Sequence, residues 1–219
     1  MKVIDLTQYI SENMPVYPGT EGPKIVQATT ILREGFAEKL ITMYSHTGTH
    51  MDAPGHIVTG AKTLDAFDAG HYIGTATLLD VSGCLDGAID ASLIDRHAES
   101  IRGMDFVLFR SGWSTRWGRE SYFGKFPVLT EKAANLLCGL GLRGIGLDMI
   151  SVDRVDTEDF PIHKILFRAG LVIVENLANL DAIDAPVFTF SCLPLKMPSS
   201  DGSPVRAVAM IDSAARTAK

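Results

Sequence analysis

The chain is expected to fold as a mixed α/β protein with a sheet-rich core. Short apolar runs rich in β-branched residues recur along its length. Helical patterns are fewer and alternate with the strand-like runs mainly in the second half. With 219 residues, 46% hydrophobic and 21% charged, the chain can bury a sizeable core and lacks the composition of a disordered protein. No internal repeat, low-complexity tract or Pro/Gly/Ser linker divides it, so residues 1–219 read as one domain.

The elements follow in order. Residues 25–32 and 39–44 carry the β-branched content of strands. Residues 75–81, 106–109, 145–147 and 171–174 are short apolar runs of the kind that form buried strands. Residues 187–193 and 205–211 read as a final strand pair, with turn formers at 199–204 between them. Residues 92–101 are a helix candidate. Residues 130–140 are a stronger one: Thr130 can cap the start, Glu131 lies in the first turn, Gly141 follows the end, and Leu136, Leu137 and Leu140 give an apolar face. Residues 161–169 begin with Pro161 and stop at Gly170. The strand order within the sheet does not follow from these patterns.

Bulk properties exclude several functions. A net charge of −6 leaves no basic footprint for nucleic acid and no attraction to an acidic membrane surface. No run approaches the ~20 apolar residues of a membrane helix, and the N-terminus lacks the apolar core of a signal peptide. Three cysteines, Cys84, Cys138 and Cys192, lie far apart without C-x-x-C spacing. They suit a reducing compartment, so the cytoplasm is the expected location.

The chemistry concentrates in one run, His46-Thr47-Gly48-Thr49-His50-Met51-Asp52-Ala53-Pro54-Gly55-His56. Metal sites need nitrogen and oxygen donors that converge on one point. Gly48 and Pro54 argue for a bent loop rather than a regular helix or strand. In an extended stretch His50 and Asp52 share a side, because side chains alternate with a period of two. Burying so many ionisable groups without a partner is costly, and a bound cation is the simplest partner. A further pair can supply donors from elsewhere: His163 on the helix at 161–169 and Glu175 at the end of the strand at 171–174.

The run matches the signature H-x-G-T-H-x-D-x-P-x-H, and the chain therefore resembles the cyclase-type metal-dependent hydrolase family, which includes bacterial kynurenine formamidase and isatin hydrolase. The resemblance continues through Pro15-Val16-Tyr17-Pro18-Gly19, Arg110-Ser111-Gly112-Trp113, Ile145-Gly146-Leu147-Asp148, Pro161-Ile162-His163, Glu175-Asn176-Leu177 and Asp201-Gly202-Ser203-Pro204. It implies a swivelling β/β/α fold in a homo-oligomer, dimer or tetramer. It implies a divalent metal centre, two zinc ions with manganese as an alternative. His46, His50 and Asp52 would hold one metal, Asp52 and Glu175 would bridge, and His163 would bind the second. His56 is then the catalytic acid/base, and Tyr17 a substrate contact where formylkynurenine hydrolases usually carry Trp.

The implied activity is that of an arylformamidase, hydrolysing N-formyl-L-kynurenine to kynurenine and formate in tryptophan catabolism. A metal lowers the pKa of bound water to about 7, and His56 would pass a proton to the leaving nitrogen. Two alternatives stand beside it: an isatin hydrolase-like enzyme for cyclic amides, and a non-catalytic protein that binds metal or a small molecule. A serine hydrolase is disfavoured, since no G-x-S-x-G elbow occurs. His71 reads as a turn or surface residue, His97 as solvated, and Trp113 and Trp117 as packing residues. Asp148 and Asp153 read as hydrogen-bonding supports for the fold.

Overall fold

A computed structural model of the chain describes residues 1–84 and 87–212. In chain order the strands are β1 (Lys2–Asp5), β2 (Lys24–Thr29), β3 (Glu38–Thr42), β4 (His50–Asp52), β5 (Ile73–Asp80), β6 (Ala88–Ile89), β7 (Phe106–Arg110), β8 (Val128–Leu129), β9 (Gly144–Leu147), β10 (Val172–Glu175), β11 (Phe188–Ser191), β12 (Gly202–Pro204) and β13 (Val208–Ile211). The α-helices are α1 (Ile31–Glu34), α2 (Ala91–Ile101), α3 (Glu131–Cys138) and α4 (Pro161–Arg168).

Among the described residues, nine strands form one sheet in the order β1-β13-β11-β5-β7-β9-β10-β4-β12. Its centre, β5-β7-β9-β10, is parallel. Both flanks are antiparallel. Central parallel strands are covered on both faces and so read as nearly continuous apolar runs. Phe106–Arg110 and Val172–Glu175 are such runs. Alternation along them separates two cores. Val107, Phe109 and Ile173 meet α2, α3 and α4 through Ile94, Ile101, Leu137, Leu166 and Phe167. Phe106, Leu108, Val172 and Val174 face the other way, against Ile4, Met51, Phe188, Phe190 and Ala209. Ile4 and Met51 lie on strands near opposite ends of the sheet yet share this second core, so the sheet curls around it. The hydrogen bond from Ala178 N to Leu6 O, 2.9 Å, fastens the curl.

The helix expectations agree closely with the structure. The side chain of Thr130 caps α3 by accepting from Ala133 N, and α4 begins at Pro161 with Gly170 just beyond it at φ 80°. The final strand pair forms as β11 and β13.

The strand reading omits β1, β6 and β8 and differs from the structure in four further places. The expected strand at 25–32 stops at Thr29, and Ile31–Glu34 turn into α1, closed by Gly35 in the left-handed region. The run expected to be a loop contains β4, because β10 and β12 supply partners on both of its sides. The turn expected at 199–204 ends in β12 for the same reason. The strand expected from Val205 begins at Val208, since Val205 N instead donates to Thr49 O.

Candidate metal centre and substrate pocket

The site is built on β4. Its register sets His50 opposite Glu175 of β10, and Asp52 opposite Gly202 of β12. His50 and Asp52 share one face of the strand, as period two requires, while Met51 between them is fully buried in the second core. Directly opposed residues bring their Cβ atoms to about 4.5–5.5 Å, close enough for His50 and Glu175 to serve one ion. His50 Nε2 lies 3.2 Å from Asp52 Oδ1 and 3.6 Å from Glu175 Oε2.

The first turn of α4 delivers His163 to the same place. Asp153 receives the helix start, accepting from Ile162 N and His163 N at 3.0 Å each. It also accepts from His163 Nδ1 at 2.7 Å, which turns Nε2 inward. That Nε2 lies 3.5 Å from Glu175 Oε1 and 3.7 Å from Asp52 Oδ2. On the other side His46 approaches with Nδ1 2.6 Å from Asp52 Oδ1. The five residues expected as metal donors, His46, His50, Asp52, His163 and Glu175, are thus brought together. Asp52 stands between the two groups, His46–His50–Asp52 and Asp52–His163–Glu175, whose ligand atoms lie within 4.8 Å of one another.

His50 is oriented by the backbone. Gly48 holds φ 67°, a region open to glycine, and its carbonyl accepts from His50 Nδ1 at 2.9 Å. The same carbonyl accepts from Asn176 Nδ2 at 2.9 Å, and Tyr122 Oη donates to Asn176 Oδ1 at 2.7 Å. Fixing one imidazole nitrogen in this way leaves the other as a lone-pair donor aimed at the site.

These side chains line a pocket of about 350 Å³. His56, in a short 3₁₀ turn, lies on its wall beside His46, with ring centroids 3.9 Å apart. Pro15, Val16, Tyr17, Ile57, Ile150 and Phe160 give it apolar surface. Tyr17 faces the pocket and also packs: its hydroxyl donates to Val155 O at 3.4 Å and its ring borders the first core. His71 stacks on Phe67 at 4.4 Å, away from the pocket lining. Trp113 is buried with its indole donating to Tyr122 O, and Trp117 packs edge-on against Tyr122. His97 is exposed on α2. Asp148 accepts from Ser111 N, Ser111 Oγ and Gly112 N.

Two site residues were not singled out in the sequence. Asp201 lines the pocket and contacts both His46 and His56. Its signal was the Asp-Gly step, which reads as turn chemistry. Asn176 holds a left-handed φ of 59°; in the sequence it stands only within the Glu175-Asn176-Leu177 resemblance, with no role of its own.

Electrostatics test whether a cation fits. Burial pushes the Glu175 carboxyl up, and the charge of Asp52 pushes it further. Burial also acts to raise Asp52, but the adjacent His46 and His50 hold it well below the usual carboxylate range. Burial acts to lower His46, yet the Asp52 carboxylate and then Asp201 lift it to about 9. Two buried carboxylates that compete for one space, faced by imidazoles with their outer nitrogens already satisfied, fit a divalent cation. Mixed nitrogen and oxygen donors are the set that zinc and related ions take. His56 differs from the other three: burial, with His46 and His163 nearby, lowers its pKa against the pull of Asp52 and Asp201. That shift favours its neutral form.

A curled mixed sheet carrying such a donor set at the floor of an open pocket defines a metal-dependent hydrolase. A family model described as "Putative cyclase" matches residues 4–154, and the chain belongs to this cyclase family. It is 33% identical over 207 residues to a kynurenine formamidase of Bacillus cereus, covering 94% of this chain and 95% of that protein. Its fold matches a crystal structure of an isatin hydrolase bound to the product analogue thioisatinate, with a TM-score of 0.87 and 28% identity, covering 97% of this chain and 93% of that one. A structure described as a potential metal-dependent hydrolase with cyclase activity matches with a TM-score of 0.80 and 34% identity, covering 95% and 96%.

Proposed function

We propose that residues 1–219 act as a single-domain metal-dependent amidohydrolase of the arylformamidase type, converting N-formyl-L-kynurenine and water to kynurenine and formate. The observation that carries this reading is the gathering of His46, His50, Asp52, His163 and Glu175 around one point, with His56 beside it, its ring 3.9 Å from that of His46. His46, His50 and Asp52 would hold one ion, His163 the second, with Asp52 and Glu175 shared between them. Zinc is the favoured metal and manganese the alternative. When bound, the metal supplies a Lewis acid and a water acidic enough to ionise near neutral pH.

The chain's own residues do the rest. The apolar wall around Tyr17, Ile57 and Phe160 seats an aromatic ring and excludes water from it. His56, held neutral by its surroundings, takes the proton of the attacking water and returns it to the departing nitrogen. A protein that only bound metal would have no need of that group.

The test is hydrolysis of N-formyl-L-kynurenine by purified protein, with chelated and zinc- or manganese-restored samples in parallel. Metal-dependent turnover is expected. Its absence in a sample shown to hold metal would overturn the substrate and point to the second reading, a cyclic amide such as isatin. One observation favours that second reading: no Lys or Arg is among the described residues lining the pocket, so none of those residues offers an ammonium or guanidinium to an amino-acid carboxylate.

The active form we infer is a homo-oligomer, a dimer or tetramer, in the cytoplasm. Support for association comes from β2, α1 and β3, a hairpin outside the main sheet. It exposes Val26, Ile31, Leu32, Phe36, Leu40 and Ile41, apolar side chains that association would cover. Support for the location comes from three cysteines without a disulfide. No described helix is long and apolar enough to cross a membrane.

A further inference from the structure

Each of the three histidines facing the carboxylates has its outer nitrogen engaged. For His50 the partner is Gly48 O, and for His163 it is Asp153. For His46 it is Asp201, whose Oδ2 lies 3.1 Å from Nε2 while Nδ1 faces Asp52. The same Oδ2 lies 3.6 Å from His56 Nδ1. Roughly half an ångström of closure would make that distance a hydrogen bond. Asp201 therefore stands where a donor residue and the proposed acid/base meet.

The surroundings are built for this. Ser45 Oγ donates to Asp201 Oδ1 at 3.1 Å, which leaves Oδ2 for the imidazoles. Ala53 N donates to the Asp201 carbonyl at 2.8 Å, tying it to the histidine run. Next along the chain, a Cβ at Gly202 would stand 2.5 Å from His46 Cε1. Only glycine lets the His46 ring lie against β12 and reach Asp201.

We propose that Asp201 is a positioning residue shared by two imidazoles, holding His46 with Nδ1 turned to the metal and His56 with Nδ1 protonated and Nε2 as the basic edge. The proposal rests on the amidohydrolase reading for the role of His56. Its consequence is mechanical. Movement of Asp201 disturbs metal binding and proton transfer together, whereas Asp153 positions one imidazole, that of His163.

The experiment compares the zinc-loaded wild type with Asp201→Ala and Asp201→Asn, the second being close to isosteric should the first fail to fold. Zinc affinity is measured by chelator competition, histidine tautomers by long-range proton–nitrogen NMR, and kcat and KM at saturating zinc. For Asp201→Ala, affinity and kcat should each fall about 10–100-fold with KM within about twofold. The His56 signals should lose the Nδ1–H tautomer. Asp201→Asn, which keeps a carbonyl acceptor, should lie between. Unchanged affinity and unchanged His46 and His56 signals in both variants would overturn the proposal. If the wild type hydrolyses neither amide, the reaction reading fails, and the affinity and tautomer measurements still decide the part played by Asp201.

Discussion

β3 and β4 are separated only by residues 43–49, yet they occupy opposite environments. Every residue of β3 is exposed, and the strand pairs with β2 alone. Every residue of β4 is buried, and the strand pairs on both sides. β3 has the better strand composition, with Leu40, Ile41 and Thr42. β4 carries two ionisable groups in three residues. Its place in the sheet comes from its partners: β10 sets His50 against Glu175, and the buried Met51 anchors the other face. The difference teaches that the site is made by sheet register rather than by local preference. A two-stranded hairpin is marginal by itself, and among the described residues β3 has no strand partner but β2.

Substitutions should separate the two strands sharply. Glu175→Ala removes the residue opposite His50. Metal content measured after dialysis should collapse, and turnover should fall at least about 10³-fold, since a bound metal supplies several kcal/mol to the transition state. Retained metal with full turnover would show that the register is not what holds the ion. His56→Ala should lower kcat by about 10²–10⁴-fold while most metal stays bound. An empty site in that variant would make His56 a ligand.

Chelation should act on the β4 side of the molecule as a loss of stability. With free metal at a thousand times its dissociation constant, binding contributes about 4 kcal/mol. For a chain of this size that is roughly 8–16 °C in Tm, readable by calorimetry with and without chelator. A smaller effect concerns protons. A ligand imidazole must be neutral, and in the metal-free protein His46 is lifted to about 9. Below that pH the ion must displace a proton, so affinity should fall as pH drops and calorimetry in different buffers should show proton release. Above it this group contributes no dependence. The smallest effect belongs to β3. Leu40→Ser should change metal affinity not at all and monomer stability by about 0.5 kcal/mol or less, while shifting the association state seen in sedimentation.

The elements with helical caps and apolar runs were legible in the sequence because their signals are local. Thr130, Pro161 and Gly170 mark helix ends by their own conformational preferences. β4 and β12 were not legible, since neither His50–Asp52 near Gly48 nor Gly202–Pro204 after Asp201 has a preference that outweighs turn chemistry. The donor residues were legible through their motif spacing and the period of two that places His50 with Asp52. Asp201 was hidden for a different reason. Its role exists only after β12 has paired with β4, and nothing within the Asp201-Gly202-Ser203-Pro204 segment refers to a histidine 155 positions earlier.

The pairing of β4 with both β10 and β12 also sets an order of events during synthesis. Donors at 46–52 leave the ribosome first and wait for His163 and Glu175, and their outer edge is closed only when residues 202–204 arrive. A nascent chain therefore lacks at least one of the five candidate donors until residue 175 has emerged. On the proposed metal reading, a chain that mispairs its last strands would hold the ion more weakly and remain the easier target for quality control.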